Sequence, residues 1–372
     1  MSSAAVLWRY LAPRLRWMVF PVGLWMATRL AMLLLGYVSL KLAPSLRGSS
    51  VAALRPYPSL DALCCWDCGW YNRLAKEGFT NVEETNFWPG LPFAGRWLAR
   101  LTGMQIRYAI LVVPNLAALG AYLVLHRLFA KLDGARVARA ALGLFAAYPF
   151  AYYHASGYPE TIMIFSSALA VWLAMTNHHI SAGLSLGLGI MSRHLTVLLG
   201  AGLLAAQLRQ RGVRRFFASP VFLTLALPFA MVGIYMVYSK ITWGDPVAFW
   251  RARNAWGKTA WWSVVDAIRH ADSRPHVVSF APFALFPTVG AILLLRDRKY
   301  AELAAAGIPL MTVLWAVGAF ALGRYSASCW PAFLPLAKWL DRHPRWQLPV
   351  LLLFGLAQGW YFFLHSHHYE IQ

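Results

Sequence analysis

A carboxylate set among aromatic rings beside an apolar segment can take a proton from a bound hydroxyl, and Asp67 is such a residue. It lies in the run Cys65-Trp66-Asp67-Cys68-Gly69-Trp70-Tyr71, just after the first long apolar segment. Only 14 of the 372 residues are acidic, so a carboxylate at an apolar boundary is a candidate for chemistry. Glu160, at the mouth of a later apolar segment, is the second catalytic candidate; holding a helix end is its alternative. Asp67 has an alternative too, as the N-cap of the segment that follows it. Trp66, Trp70 and Tyr71 suit contact with a polar substrate carried on a lipid. Arginine keeps its charge and grips phosphate through paired N–H groups, which makes Arg193 and Arg324, with Tyr325 beside the latter, candidates for an anionic substrate. Arg251, Arg253 and Lys258 form a further basic patch with Trp250 and Trp256. The competing readings are side chains snorkelling to headgroups and an ordinary interfacial aromatic belt.

Metal chemistry finds little footing. Cys65-x-x-Cys68 has the spacing of a metal or redox pair, but no second pair or histidine cluster completes it. Glu83 and Glu84 could hold a divalent cation, yet solvated loop charge is the better reading, and no Asp-x-Asp occurs. No metal or other cofactor is expected. Cys64 or Cys68 in a disulfide and all four cysteines as free thiols are both open. His154, His194 and His276 lack metal spacing and are expected to make local hydrogen bonds. Arg29 lies within the first apolar span, where it must pair with Glu160 or with backbone carbonyls.

The elements that position these residues are membrane helices. The chain is 59% hydrophobic and 13% charged, with a mean hydropathy of +0.50, against about 25% charge in soluble domains. Apolar segments near 17–42, 106–129, 137–153, 159–176, 179–191, 194–208, 217–238, 277–295, 301–322, 326–340 and 346–365 predict an all-α polytopic bundle of about eleven crossings in one domain. The first segment reads as an uncleaved anchor. The net charge of +20 sits in short clusters between the spans, including Arg136 and Arg211, all on one face when the N-terminus is inside. Anionic lipid headgroups are therefore the expected partners of that charge, not nucleic acid. Two long polar segments, about 43–105 and 239–276, then fall outside, carrying Glu83, Asp266 and six of the other twelve acids. Within the first, Trp70, Leu74 and Phe79 predict one face of an amphipathic helix ended by Gly78, and 87–101 predicts an interfacial or re-entrant helix.

The run W-D-C-G-W-Y-N-R-L-A-K-E-G-F (66–79), followed by F-W-P-G-L-P (87–92), resembles the second mannosyltransferase of GPI-anchor assembly and its bacterial relatives. W-M-A-T-R-L (25–30), S-G-Y-P-E-T (156–161), M-S-R-H (191–194), G-D-P-V-A-F (244–249), A-W-G-K (255–258) and G-R-Y (323–325) follow in the family order. Pro159 stands where Ser or Thr is commoner, and the surroundings of Asp67 are richer in cysteine. The resemblance implies a GT-C type glycosyltransferase that takes a sugar, mannose by family, from a polyprenyl-phosphate donor on the extracytoplasmic side, with Asp67 as catalytic base. The acceptor is a lipid, glycan or protein. A transporter or flippase, and a non-catalytic assembly subunit, are the alternatives from other classes. The absence of an N-x-Ser/Thr sequon and the richness in Ala, Leu and Arg favour a bacterial plasma membrane over the endoplasmic reticulum, where the site would face the lumen.

Overall fold

The computed structural model describes residues 3–42, 58–255, 275–317 and 322–369. Helix α1 is Ser3–Leu42, α2 Pro58–Leu63, α3 Asp67–Glu77, α4 Gly90–Thr102, α5 Ile106–Ala147, α6 Glu160–Met175, α7 His179–Ser192, α8 Thr196–Leu199 and α9 Ala201–Arg211. There follow α10 Val213–Phe217, α11 Ala226–Trp243, α12 Ala248–Ala255, α13 Pro275–Leu293, α14 Ala301–Val317, α15 Leu322–Ser326, α16 Phe333–Arg342 and α17 Gln347–Ser366. No strand occurs among the described residues. Lys258 and Asp266 lie outside them, as do the side chains of Arg253 and His276.

Among the described residues, four stretches are long and apolar enough to cross a membrane: Leu15–Leu42, Ile106–Ala147, Pro220–Trp243 and Pro344–Ser366. Glu160–Met175, His179–Ser192 and Leu285–Arg296 are shorter apolar helices. The long ones turn apolar side chains outward, such as Val19, Leu30 and Leu34 on α1, Ile234 and Ile241 on α11, and Leu352 and Leu356 on α17. Exposed apolar stripes on several long helices of one protein suit lipid contact rather than water.

The second and third predicted crossings meet in α5, which bends at Gly134, where φ is 84° and ψ is 165°. The sequence places the later crossing over 137–153, whereas the helix stops at Ala147. Pro149 explains this, since it lacks an N–H and disfavours helical geometry in the residue before it; Tyr148 is extended, with φ −52° and ψ 140°. Residues 148–160 are nevertheless buried without exception. Non-helical backbone is tolerated at such depth only when its polar groups are met by protein. Gln358 Nε2 donates to the Tyr148 carbonyl at 3.1 Å, Asn115 Nδ2 to that of Ala155 at 2.9 Å, and Arg29 Nη2 to that of His154. Arg29 is thus a backbone tie, one of its two expected roles, and its Nε also bonds Asn115 Oδ1 at 2.9 Å.

In the first polar segment, α3 ends at Gly78, whose φ of 89° lets its N–H reach the Leu74 carbonyl. Its buried face is Cys68, Tyr71, Leu74 and Ala75. Trp70 is not on that face, a correction to the expected stripe: it turns outward and stacks on Phe87 at 5.7 Å. The reason is that α3 packs on α4 and α5, so protein contacts choose the buried side. Helix α4 buries Leu91, Pro92, Gly95 and Ala99 and exposes Phe93, Trp97 and Leu101, the outward apolar stripe of an interfacial helix.

Charge divides the bundle by its ends. Glu160 opens α6 and Arg193 follows the last residue of α7, so both sit at one end. At the other end of these helices, Gln210 Nε2 holds the Ala174 carbonyl at 2.7 Å and Arg211 lies 3.3 Å from His179. The 16 residues of α6 span roughly 24 Å.

Candidate active site

Asp67 is the first residue of α3, and the capping position belongs to Trp66, whose side chain makes no capping hydrogen bond. Trp66 has a φ of 55°, unusual for a bulky residue. The turn is held on several sides. Cys64 and Cys68 are joined in a disulfide, while Cys65 and Cys329 are buried thiols. Tyr158 Oη donates to the Cys65 carbonyl at 3.0 Å and accepts from the Asp67 N–H at 3.2 Å. Gly157 donates its N–H to the Leu63 carbonyl at 3.1 Å, and a Cβ at Gly157 would stand 2.4 Å from Cys68 Sγ. Only glycine lets the 156–161 segment lie this close to the disulfide.

Four charged side chains converge here. Arg324 Nη1 donates to Asp67 Oδ2 at 2.7 Å, and Arg324 Nε stands 3.3 Å from Glu160 Oε1. Arg193 Nη2 stands 3.4 Å from the same Glu160 oxygen. Two carboxylates and two guanidiniums balance one another, which a buried cluster requires. Exposure separates the four: side-chain accessibility is 0% for Glu160, 3% for Arg324 and 9% for Arg193, but 23% for Asp67. Glu160, being enclosed, faces the two arginines, and Asp67 is the member nearest solvent.

Tyrosines complete the surroundings. Arg193 Nη1 donates to Tyr71 Oη at 3.3 Å and its Nη2 to Tyr325 Oη. Arg324 lies over the rings of Tyr325 and Tyr158, at 5.1 and 5.3 Å from their centroids, a favourable placement for a cation. Burial, with Asp67 and Glu160 nearby, pushes the Tyr71 hydroxyl well above its usual range, although both arginines pull it down. It therefore stays protonated and can donate.

The other candidates stand apart from this cluster. Trp66 leans on His368 at 5.5 Å, and Trp70 carries Arg73 over its face at 4.8 Å. Arg251 is an exposed residue of α12 paired with Asp245 at 3.1 Å. Glu84 is a correction: it is not a solvated loop charge but buried, accepting from the Thr80 N–H at 2.8 Å, Asn81 Nδ2 at 2.8 Å and Arg73. Burial alone would raise its pKa, yet these bonds hold it below the usual carboxylate range. Among the described residues, no three His, Cys, Asp or Glu side chains form a metal-binding group. His154 stacks on Phe145 at 4.5 Å and His194 against Trp88 at 5.8 Å. Sequence reading passed over Tyr158, although it lies inside S-G-Y-P-E-T; its place between Asp67 and the Cys65 carbonyl depends on the fold. His365 was also missed, 5.2 Å from Tyr153 and 6.2 Å from Tyr158. Nothing local singles it out at the end of an apolar helix.

No protein-family model and no curated protein sequence matches the chain. Among solved structures it is similar to the archaeal oligosaccharyltransferase AglB from Archaeoglobus fulgidus in complex with an inhibitory peptide and a dolichol-phosphate. The identity is 13% and the TM-score 0.47, over 92% of this chain and 56% of that one. An Archaeoglobus fulgidus oligosaccharyltransferase tethered with an acceptor peptide is 12% identical with a TM-score of 0.46, over 91% of this chain and 55% of that one. The chain thus spans little more than half the length of the solved structures it matches.

Proposed function

We propose that this protein is a membrane glycosyltransferase that moves a sugar, mannose by the motif resemblance, from a polyprenyl-phosphate donor to a hydroxyl of a lipid, glycan or protein acceptor. The observation that carries the reading is the cluster itself: a carboxylate at the solvent edge, backed by two buried arginines, at one end of a bundle of apolar helices. The acceptor oxygen attacks the anomeric carbon while the carbon–oxygen bond to phosphate breaks. The bonding pair leaves with the polyprenyl phosphate, and the acceptor proton passes to Asp67. One displacement inverts the anomeric centre, so a β-linked donor gives an α-linked product.

Each residue has a part in this scheme. Asp67 is the general base, and Arg324 and Arg193 face the donor phosphate. Tyr71 and Tyr325 orient the arginines, and Trp66, beside Asp67 in the chain, offers a ring to the sugar. Glu160 holds the two guanidiniums in place from behind. Arg251, with Lys258 near it in sequence, supplies positive charge for the anionic substrate. The site faces the outside of a bacterial plasma membrane in the orientation that the basic clusters favour.

The test is sugar transfer by purified Asp67→Asn protein, with a polyprenyl-phosphate mannose donor and a membrane lipid extract as acceptor. Asn keeps the shape but cannot accept the proton, and turnover is expected to fall roughly 100-fold or more. Parental turnover in a folded variant would remove Asp67 from the mechanism and with it this reading.

A further inference from the structure

Asp67 and Arg324 are each needed by the substrate, yet in this structure they are bonded to one another. Resting on the glycosyltransferase reading, we propose that the Asp67–Arg324 pair is a latch that donor phosphate opens, so that the base is released only after the donor has bound.

Arg324 uses Nε toward Glu160, Nη2 toward Tyr325 Oη at 3.4 Å and Nη1 toward Asp67. Glu160 is fully enclosed and also serves Arg193, so it is not the partner that gives way. Asp67 is the most exposed of the four, and its carboxylate holds Nη1. A phosphate arriving at Nη1 meets a carboxylate already bonded to that nitrogen, and although Nη1 carries a second N–H, the two anions cannot both sit on it without strong repulsion.

Displacement needs only a side-chain rotation. The Asp67 backbone stays fixed by Tyr158 Oη on its N–H, and the Cys64–Cys68 disulfide closes the turn around it. A carboxylate bonded to a guanidinium is a poor proton acceptor, and one released from it is a better one. Phosphate binding thus turns the resting partner of Arg324 into the base. It also favours an order, donor before acceptor.

The latch predicts that removing the Asp67 carboxylate strengthens phosphate binding while it destroys transfer. The probe is undecaprenyl phosphate, bound at equilibrium to the purified full chain in detergent. Asp67→Asn and Asp67→Ala are each expected to bind it about 10-fold tighter than the parent, since a charge-assisted hydrogen bond no longer has to be broken. Either variant suffices if the other fails to fold. In an Arg324→Gln background the gain should vanish, because the contested guanidinium is gone. Equal or weaker binding by the Asp67 variants overturns the latch and leaves the glycosyltransferase reading standing on its own turnover test. A gain that persists without Arg324 is simple charge repulsion and also overturns the latch. Failure of parent and variants alike to bind undecaprenyl phosphate would sink the donor assignment itself.

Discussion

At the scale of single residues, Glu160 differs from Asp67 although both face Arg324. It has no access to solvent and lies 3.3 and 3.4 Å from two guanidiniums, so its contribution is to neutralise them. Removing one partner from a buried ionic cluster leaves charge uncompensated, at a cost of about 3–5 kcal/mol. Glu160→Ala is therefore expected to lower the melting temperature in detergent markedly, whereas Asp67→Ala, at the solvent edge, should lower it much less. Equal melting temperatures for the two variants would show that Glu160 is not the structural centre of the cluster. The sequence singled out both acids by their rarity, but only burial separates their roles.

Among the elements, the turn from Cys64 to Cys68 decides where Asp67 points. It is tied by the disulfide, by Tyr158 and by the close approach of Gly157. The loop closed is short, so the chain-entropy gain is modest, about 2 kcal/mol. Its greater effect is on geometry, because Trp66 sits at a φ of 55° within the closed turn. Cys64→Ser is expected to cost about 2 kcal/mol in stability and to reduce turnover more than donor KM, since the base is misplaced while the arginines remain. A variant with parental turnover would show that Tyr158 alone suffices to hold the turn.

For the whole molecule, the separation of the Asp67 cluster from the basic end bears on orientation. Asp133 binds Lys299 at 2.9 Å, Arg209 binds Glu302 at 2.9 Å, and Arg136 binds Asp341 at 2.9 Å, tying α5, α9, α14 and α16 together through residues of the predicted inner loops. With the N-terminus inside, single cysteines at positions 136 and 211 should resist a membrane-impermeant reagent in intact cells, and one at position 83 should react. Cys65 and Cys329 are buried and give little background. Labelling at 211 without labelling at 83 would reverse the orientation and put the site in the cytoplasm.

What the sequence determined by itself is what local pattern can carry. Apolar run length gave the membrane helices, a glycine ended α3 at 78, and the scarcity of acids drew attention to Asp67 and Glu160. The tertiary structure alone decided the pairings. Asp67 and Arg324 are 257 positions apart, and no periodicity links them. Likewise, only the packing of 156–161 against Cys68 reveals why Gly157 and Tyr158 matter, and only the surroundings of 148–159 show that such a stretch can be buried without being an α-helix. Helix formation depends on neighbours within a few residues, which a sequence displays directly. Ion pairs and buried turns depend on which distant surfaces meet, and that is settled when the helices pack.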